Sequence, residues 1–369
     1  MIRGWLKARY YIGGRYADRN LGTLRQLRWL VGLAVSAGAF YVAFVGVEWG
    51  PVRRSLLDAD YLPLAATIPL LITLFFIRAQ RWRLLLRPES DVSLLSAFWA
   101  LNVGYFASVL LPLQLGELVR AYVLGETQGI AKVRLLSTIA VERVLDVLVL
   151  LALLGVLIPF VDLPSAALVT VIFVFLLALG LGLAILVAVV DRPRAEMSIR
   201  RLGGLLPRRV RATGLRWGNS LLDGTTALSH PRIFGQVLVW TLLSWFTSAT
   251  VIYLIMRAFS LDVPVAAAPF LLVATTFGFF VPSSPAAIGV YDAISIRSLT
   301  TVFSVAQEPA TAYALTAHAI YMLPSSILGG VYIVWQSISL RWVQAWGDSA
   351  DTVTSAPARG HSAAGERRA

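Results

Sequence analysis

The chain has 369 residues, 57% of them hydrophobic and 14% charged, with a mean hydropathy of +0.73 and a formal net charge of +12. Such a balance excludes an ordinary soluble domain, and the absence of cysteine excludes disulfides, thiolate zinc sites and cysteine nucleophiles. His230, His318 and His361 lie far apart in sequence, so neither a metal site nor a cofactor is expected, and the arginines sit between apolar runs, which argues for lipid rather than nucleic acid as partner.

Residues 1–28 read as a basic cytoplasmic arm carrying Arg3, Lys7, Arg9, Arg15, Arg19, Arg25 and Arg28. The apolar run 29–47 is too long for a secretory signal and predicts a first, uncleaved membrane helix. Further full spans are predicted over 61–77, 133–157, 165–190, 233–256 and 310–335. Charge then assigns sides. Arg78, Arg81, Arg83 and Arg87 form a cytoplasmic cluster, and Lys132 and Arg134 lie on the same side. The linker 191–232 joins them there, with nine arginines against Asp191, Glu196 and Asp223. Connections 48–60 and 158–164 belong outside. Within the linker, 208–229 predicts an amphipathic interfacial helix, a solvated connector being the alternative. Residues 347–369 are small and polar, and 341–369 are expected to form a disordered cytoplasmic tail.

Parity constrains two remaining stretches. Residues 93–124 begin and end in the cytoplasm, so they cross an even number of times. Residues 93–111 are long enough to span, whereas 113–124 are not, and Pro112 and Gly116 break the pattern between them. A hairpin that enters and returns is the simplest solution. Residues 264–306 behave alike from the opposite face, with Pro282 and Pro285 as the break and Gly289 just beyond. The expected fold is an all-α polytopic membrane helix bundle over 29–340, with about six full spans plus two broken re-entrant hairpins of opposite insertion. Two ordinary helical pairs are the alternative.

The informative side chains are the charged ones inside apolar segments. Glu142, Arg143 and Asp146 lie within 133–157, where each costs roughly 2.5–3.5 kcal/mol at the centre of an isolated helix. Glu142 and Asp146 share a face at i and i+4, while Arg143 projects about 100° away. One arginine cannot neutralise two carboxylates, so a further cation is required. Glu117 and Arg120, at i and i+3 on the first hairpin, are the expected source. The predicted cluster is therefore Glu117, Arg120, Glu142, Arg143 and Asp146, either as a structural lock or as a substrate contact. In the second hairpin, a helix starting after the break would aim its amides into the membrane beside Asp292 and Arg297, favouring a phosphate. A plain proline kink is the alternative. Ser325, Ser326, Gly329 and Gly330 predict close helix packing.

Four stretches carry a family resemblance: Arg78-Ala-Gln-Arg81-Trp-Arg83, Pro112 to Arg120, Glu142-Arg143-Val-Leu-Asp146, and Pro285 to Asp292. Together they resemble the lysylphosphatidylglycerol synthase transmembrane family, also called flippase-like membrane proteins. The resemblance implies an integral membrane protein that moves or handles a lipid with a polar head group, and the expected location is the cytoplasmic membrane, with both termini on the cytoplasmic side. No segment after residue 340 is long enough for the soluble lysyl-transferring domain of bifunctional members, so that activity is not expected. The chain departs from the family at Gln114, where a basic residue is usual, at Ala286 and Ala287, where a Gly-Gly pair is usual, and at Asp292, where glutamate is usual. The expected function is translocation of an anionic phospholipid or polyprenyl-phosphate-linked lipid. Arg120 and Arg143 would contact phosphate, Glu117, Glu142 and Asp146 would orient them, and Arg78 and Arg81 would gather head groups at the cytoplasmic entrance. Alternatives are a scaffold for a lipid or glycan synthase, and an intramembrane transferase using Glu142 and Asp146.

Overall fold

A computed structural model describes residues 34–87, 90–111, 115–160, 191–205, 225–279 and 285–336, with isolated positions between 176 and 222. The described residues are helical and contain no strand. The basic arm, the tail, Pro112, Gln114, Pro282 and most of the expected span 165–190 lie outside them.

The first expected span does not run straight. Helix α1, Ala34–Phe44, is followed after a break by α2, Trp49–Leu57, at 81° to it. Gly46 at φ +76° stops α1, and Pro51 sits in the first turn of α2, where its missing N–H costs nothing. Residues 48–60 are thus largely helical rather than a loop. Helix α3, Tyr61–Leu86, begins at an Asp60 cap whose carboxylate accepts from the Leu62 amide. It continues past residue 77, so the Arg78–Arg83 cluster is helical.

Helices α4, Leu94–Leu110, and α5, Gly116–Gln128, form the first hairpin. They run antiparallel: the Gln128 amide reaches Ser96, while Gly104 faces Arg120 and Ser108 faces Gly116. At 1.5 Å per residue they are about 25 and 20 Å long, short of the ~30 Å hydrocarbon core. A Cβ on Gly116 would collide with the Gly104 carbonyl and the Ser108 hydroxyl, so only glycine lets the two arms approach this closely. Helix α6, Lys132–Leu157, packs on α3 and α5.

The linker contains α7, Arg192–Leu205, which sequence periodicity did not reveal. The helix expected over 208–229 is helical at its described positions 211–222 but gives way to a 3-10 turn at Thr226–Ser229. That turn seats Ala227 and Leu228 against Leu84, Leu85, Val141 and Val237. Helix α8, Pro231–Ala258, starts on proline and packs along α3. Its outer face leaves Val239, Leu242 and Phe246 exposed, as a lipid-facing surface requires.

The second hairpin is α9, Ala267–Gly278, and α10, Val290–Val302. It too is antiparallel, with Phe270 against Phe303 and Phe279 against Tyr291. Its break, Pro285–Ala287, packs against α4 of the first hairpin. Gly289, at φ +85°, lies so close to the backbones of Ser36 and Phe40 in α1 that a side chain there would strike main chain. Helix α11, Gln307–Trp335, completes the described chain. Gly329 sits against the Asn102 carbonyl and Phe106 of α4. Helices α3, α8 and α11 are long and apolar enough to cross a bilayer, and the bent pair α1–α2 counts as a fourth if it forms one span. Helix α6 has the length but carries charge.

Candidate functional site

Helix α6 presents Glu142 and Asp146 one turn apart on a face buried beneath α3, α5 and α8. Arg81 of α3 bridges them. Its Nη2 lies 2.5 Å from Glu142 Oε1 and 3.2 Å from Asp146 Oδ2, and its Nη1 lies 2.5 Å from Asp146 Oδ1. The Trp245 indole N–H, from α8, donates to Asp146 Oδ1 at 3.2 Å. Arg120 of α5 donates through Nη2 to Glu142 Oε2 at 3.0 Å, and its guanidinium lies 4.8 Å from the centre of the Trp82 ring. Its Nε is 2.7 Å from Glu117 Oε2, but the N–H is not aimed at that oxygen, so this contact is an ion pair without an aligned hydrogen bond.

Arg143 closes the group. Its Nη2 stands 3.0 Å from Glu142 Oε1, 3.5 Å from Asp146 Oδ2 and 3.6 Å from Glu117 Oε1. Three carboxylates meet three guanidinium groups, and the cluster is neutral as a whole. Neutrality is what permits it inside a membrane. An isolated buried charge there is expensive, while forked arginine–carboxylate pairs supply both counter-charge and hydrogen bonds. Helix–helix hydrogen bonds between neutral groups in membranes average only about 0.6 kcal/mol, so this network dominates contacts such as Trp82 to Thr138.

The structure redistributes the roles expected from sequence. Arg81 is 1% exposed and is the central cation of the cluster, not a collector at an entrance. Arg120 is equally buried, whereas Arg143 keeps a side chain 40% exposed and a buried Nε without a hydrogen-bond partner. Arg78 stands apart, only partly buried, and donates to the Tyr105 hydroxyl at 3.0 Å and weakly to the Ser248 hydroxyl at 3.5 Å, with the Trp245 ring 5.7 Å away. Among the described residues no carboxylate lies within ion-pair distance of it. Among the described cations at this site it is the one whose contacts are all neutral.

Asp292 does not join the cluster. Its Oδ2 accepts from the Gly289 amide at 3.0 Å, so the start of α10 is already capped by its own carboxylate rather than left open to a phosphate. Its Oδ1 faces His318. Gly116, Pro285 and Gly289 sit at the two hairpin breaks, while Pro112 and Pro282 lie outside the described residues. Sequence reasoning missed Tyr105, Trp245 and Ser248 as neighbours of Arg78.

Residues 29–329 match the family described as the lysylphosphatidylglycerol synthase TM region. The chain belongs to that family. The matched range contains both hairpins and every member of the charged cluster. No curated protein and no solved structure matched the chain. Membership in the lysylphosphatidylglycerol synthase TM family, together with the apolar helices, makes this a helical membrane protein.

Proposed function

We propose that the protein translocates or otherwise handles an anionic lipid, a phospholipid or a polyprenyl-phosphate-linked lipid, with Arg78 as the principal head-group contact and Arg143 as the second. The observation that carries this reading is the contrast in counter-charge. Arg81, Arg120 and Arg143 are balanced by Glu117, Glu142 and Asp146, while Arg78, a turn away from Arg81, meets only neutral partners among the described residues. A half-buried cation at membrane depth favours an anion, and a lipid phosphate is the anion that the bilayer supplies. The cluster then acts as a rigid wall that fixes the first hairpin on α6. The short antiparallel hairpins, touching through Pro285–Ala287 and α4, support re-entrant insertion from opposite faces and a hydrated passage between them.

No catalytic step is part of this proposal. The carboxylates that an intramembrane transferase would use, Glu142 and Asp146, have their oxygens committed to arginine. The proposed setting is the cytoplasmic membrane, with the basic arm, linker and tail inside, as arginine placement directs.

Reconstitution into vesicles of phosphatidylethanolamine and fluorescent phosphatidylglycerol tests the reading. The unaltered protein should accelerate movement of the labelled lipid between leaflets, and Arg78→Gln should slow it about tenfold, the loss of one charge-assisted contact. Equal rates for the two proteins would rule out Arg78 as the head-group contact.

A further inference from the structure

The second hairpin holds an ionisable pair that the lipid-handling reading leaves unused. His318 of α11 and Asp292 of α10 are both buried, 9% and 2% exposed. His318 Nδ1 is 3.0 Å from Asp292 Oδ1, and its Nε2 is 3.0 Å from the carbonyl oxygen of Ala286. Both imidazole nitrogens therefore face oxygen. The carbonyl can only accept, so a hydrogen bond there requires a hydrogen on Nε2. At Nδ1 a bare carboxylate can also only accept. The contact holds if the imidazole is doubly protonated, or if the carboxyl is protonated and donates. In either arrangement the pair contains one proton beyond those of a neutral imidazole and a carboxylate.

We propose that Asp292 and His318 form an intramembrane proton-binding site whose bound proton latches the break of the second hairpin. Loss of that proton leaves two neutral tautomers, and each forfeits a link. With hydrogen on Nε2, the Nδ1 lone pair opposes the carboxylate. With hydrogen on Nδ1, the Nε2 lone pair opposes the Ala286 carbonyl. A buried negative charge also remains, which the membrane interior disfavours.

What the latch restrains is the segment least able to hold itself. Ala286 and Ala287 have φ of 59° and 55°, the left-handed region that costs residues with a side chain, and Gly289 follows at 85°. The Gly289 amide is tied to the same carboxylate. This strained turn packs on α4 of the first hairpin and approaches α1, so its release changes the contact between the hairpins. Among the described residues, Asp292 and Tyr291 of α10 face His318, the Tyr291 ring 4.7 Å away, and Tyr313 and Tyr321 of its own helix stand near Tyr291. From α3, Arg78 approaches Tyr321 across Ser248, whose carbonyl takes the Tyr321 hydroxyl while its own hydroxyl takes Arg78. That path joins the latch to the proposed head-group residue. The latch rests on its own geometry, and its coupling to lipid movement rests on the lipid-handling reading.

The test uses the full chain in detergent and in vesicles. With three histidines in the sequence, imidazole 15N resonances are few, and His318→Gln assigns the one of interest. His318 should show both nitrogens protonated, or a proton shared with Asp292, in the closed protein. A bare nitrogen on His318 in the closed protein overturns the proposal. The chain has no cysteine, so Ala287→Cys provides a single reporter at a buried position. Its labelling by a water-soluble maleimide should rise about tenfold when alkaline pH removes the proton, the scale set by one lost charge-assisted bond. Added to that reporter, Asp292→Asn can donate to Nδ1 without any extra proton, so labelling should stay slow at every pH. A purely structural ion pair predicts the reverse, faster labelling in Asp292→Asn. Labelling of the reporter that ignores pH, or an Asp292→Asn profile like that of the reporter alone, also overturns the latch. These readouts need no lipid movement. If the protein moves no lipid in phosphatidylglycerol vesicles, the functional reading fails while resonances and labelling still judge the latch.

Discussion

The two hairpins have nearly the same build and opposite polar chemistry. Each pairs two helices shorter than the bilayer core across a break, and each depends on one glycine, Gly116 or Gly289, at a point of close backbone approach. The first is fastened by guanidinium groups that cannot lose a proton, in a network spread over α3, α5, α6 and α8. The second is fastened by one histidine–aspartate pair that closes on its own turn. On the proposed latch, intramembrane charges of one chain divide between holding the fold and permitting it to change.

The sharpest way to break this comparison is to remove the centre of the wall. Arg81→Leu leaves Glu142 and Asp146 short of counter-charge, and a buried pair stripped of one partner loses about 3–5 kcal/mol. Thermal unfolding in detergent should show a large fall in midpoint or no folded protein. Next, Gly289→Ala places a Cβ against the main chain of Ser36 and Phe40 and fixes an unfavourable φ, costing on the order of 1–3 kcal/mol. Its midpoint should fall and the break should become more accessible. Tyr105→Phe removes one hydrogen bond from Arg78, worth about 1 kcal/mol, and should weaken retention of anionic lipid severalfold with little change in stability. Smallest of all, Arg297→Ala removes only a long 3.5 Å contact with the Val42 carbonyl at an exposed site, and its effect should stay within about 0.5 kcal/mol.

The candidate spans α3, α8 and α11 were legible because long apolar runs have one solution in lipid, and α6 was legible as a helix of spanning length. The bend between α1 and α2 was not, because Trp49–Leu57 contains Arg53 and Arg54 and reads as a connection until Gly46 and Pro51 are given structural weight. Glu142, Arg143 and Asp146 announced themselves by their position within α6. Their chief partner did not. Arg78 and Arg81 belong to one motif, and three residues along a helix decide that Arg81 faces α6 while Arg78 faces Tyr105 and Ser248. No linear pattern sets that rotation. His318 escaped notice as a single histidine in an apolar helix whose partner is 26 residues away. A signal existed in the stripe Ala314, His318, Tyr321 and Ser325, a small and polar face at helical spacing on an otherwise hydrophobic span.

On the proposed reading the charged cluster is self-sufficient and Arg78 receives the lipid. Retention of phosphatidylglycerol by purified protein, measured by native mass spectrometry beside a thermal-unfolding curve, addresses it directly. Arg78→Gln should unfold at the same temperature as the unaltered protein yet keep about tenfold less anionic lipid. An Arg78→Gln protein that binds phosphatidylglycerol undiminished, or that loses stability as Arg81→Leu does, would contradict the account.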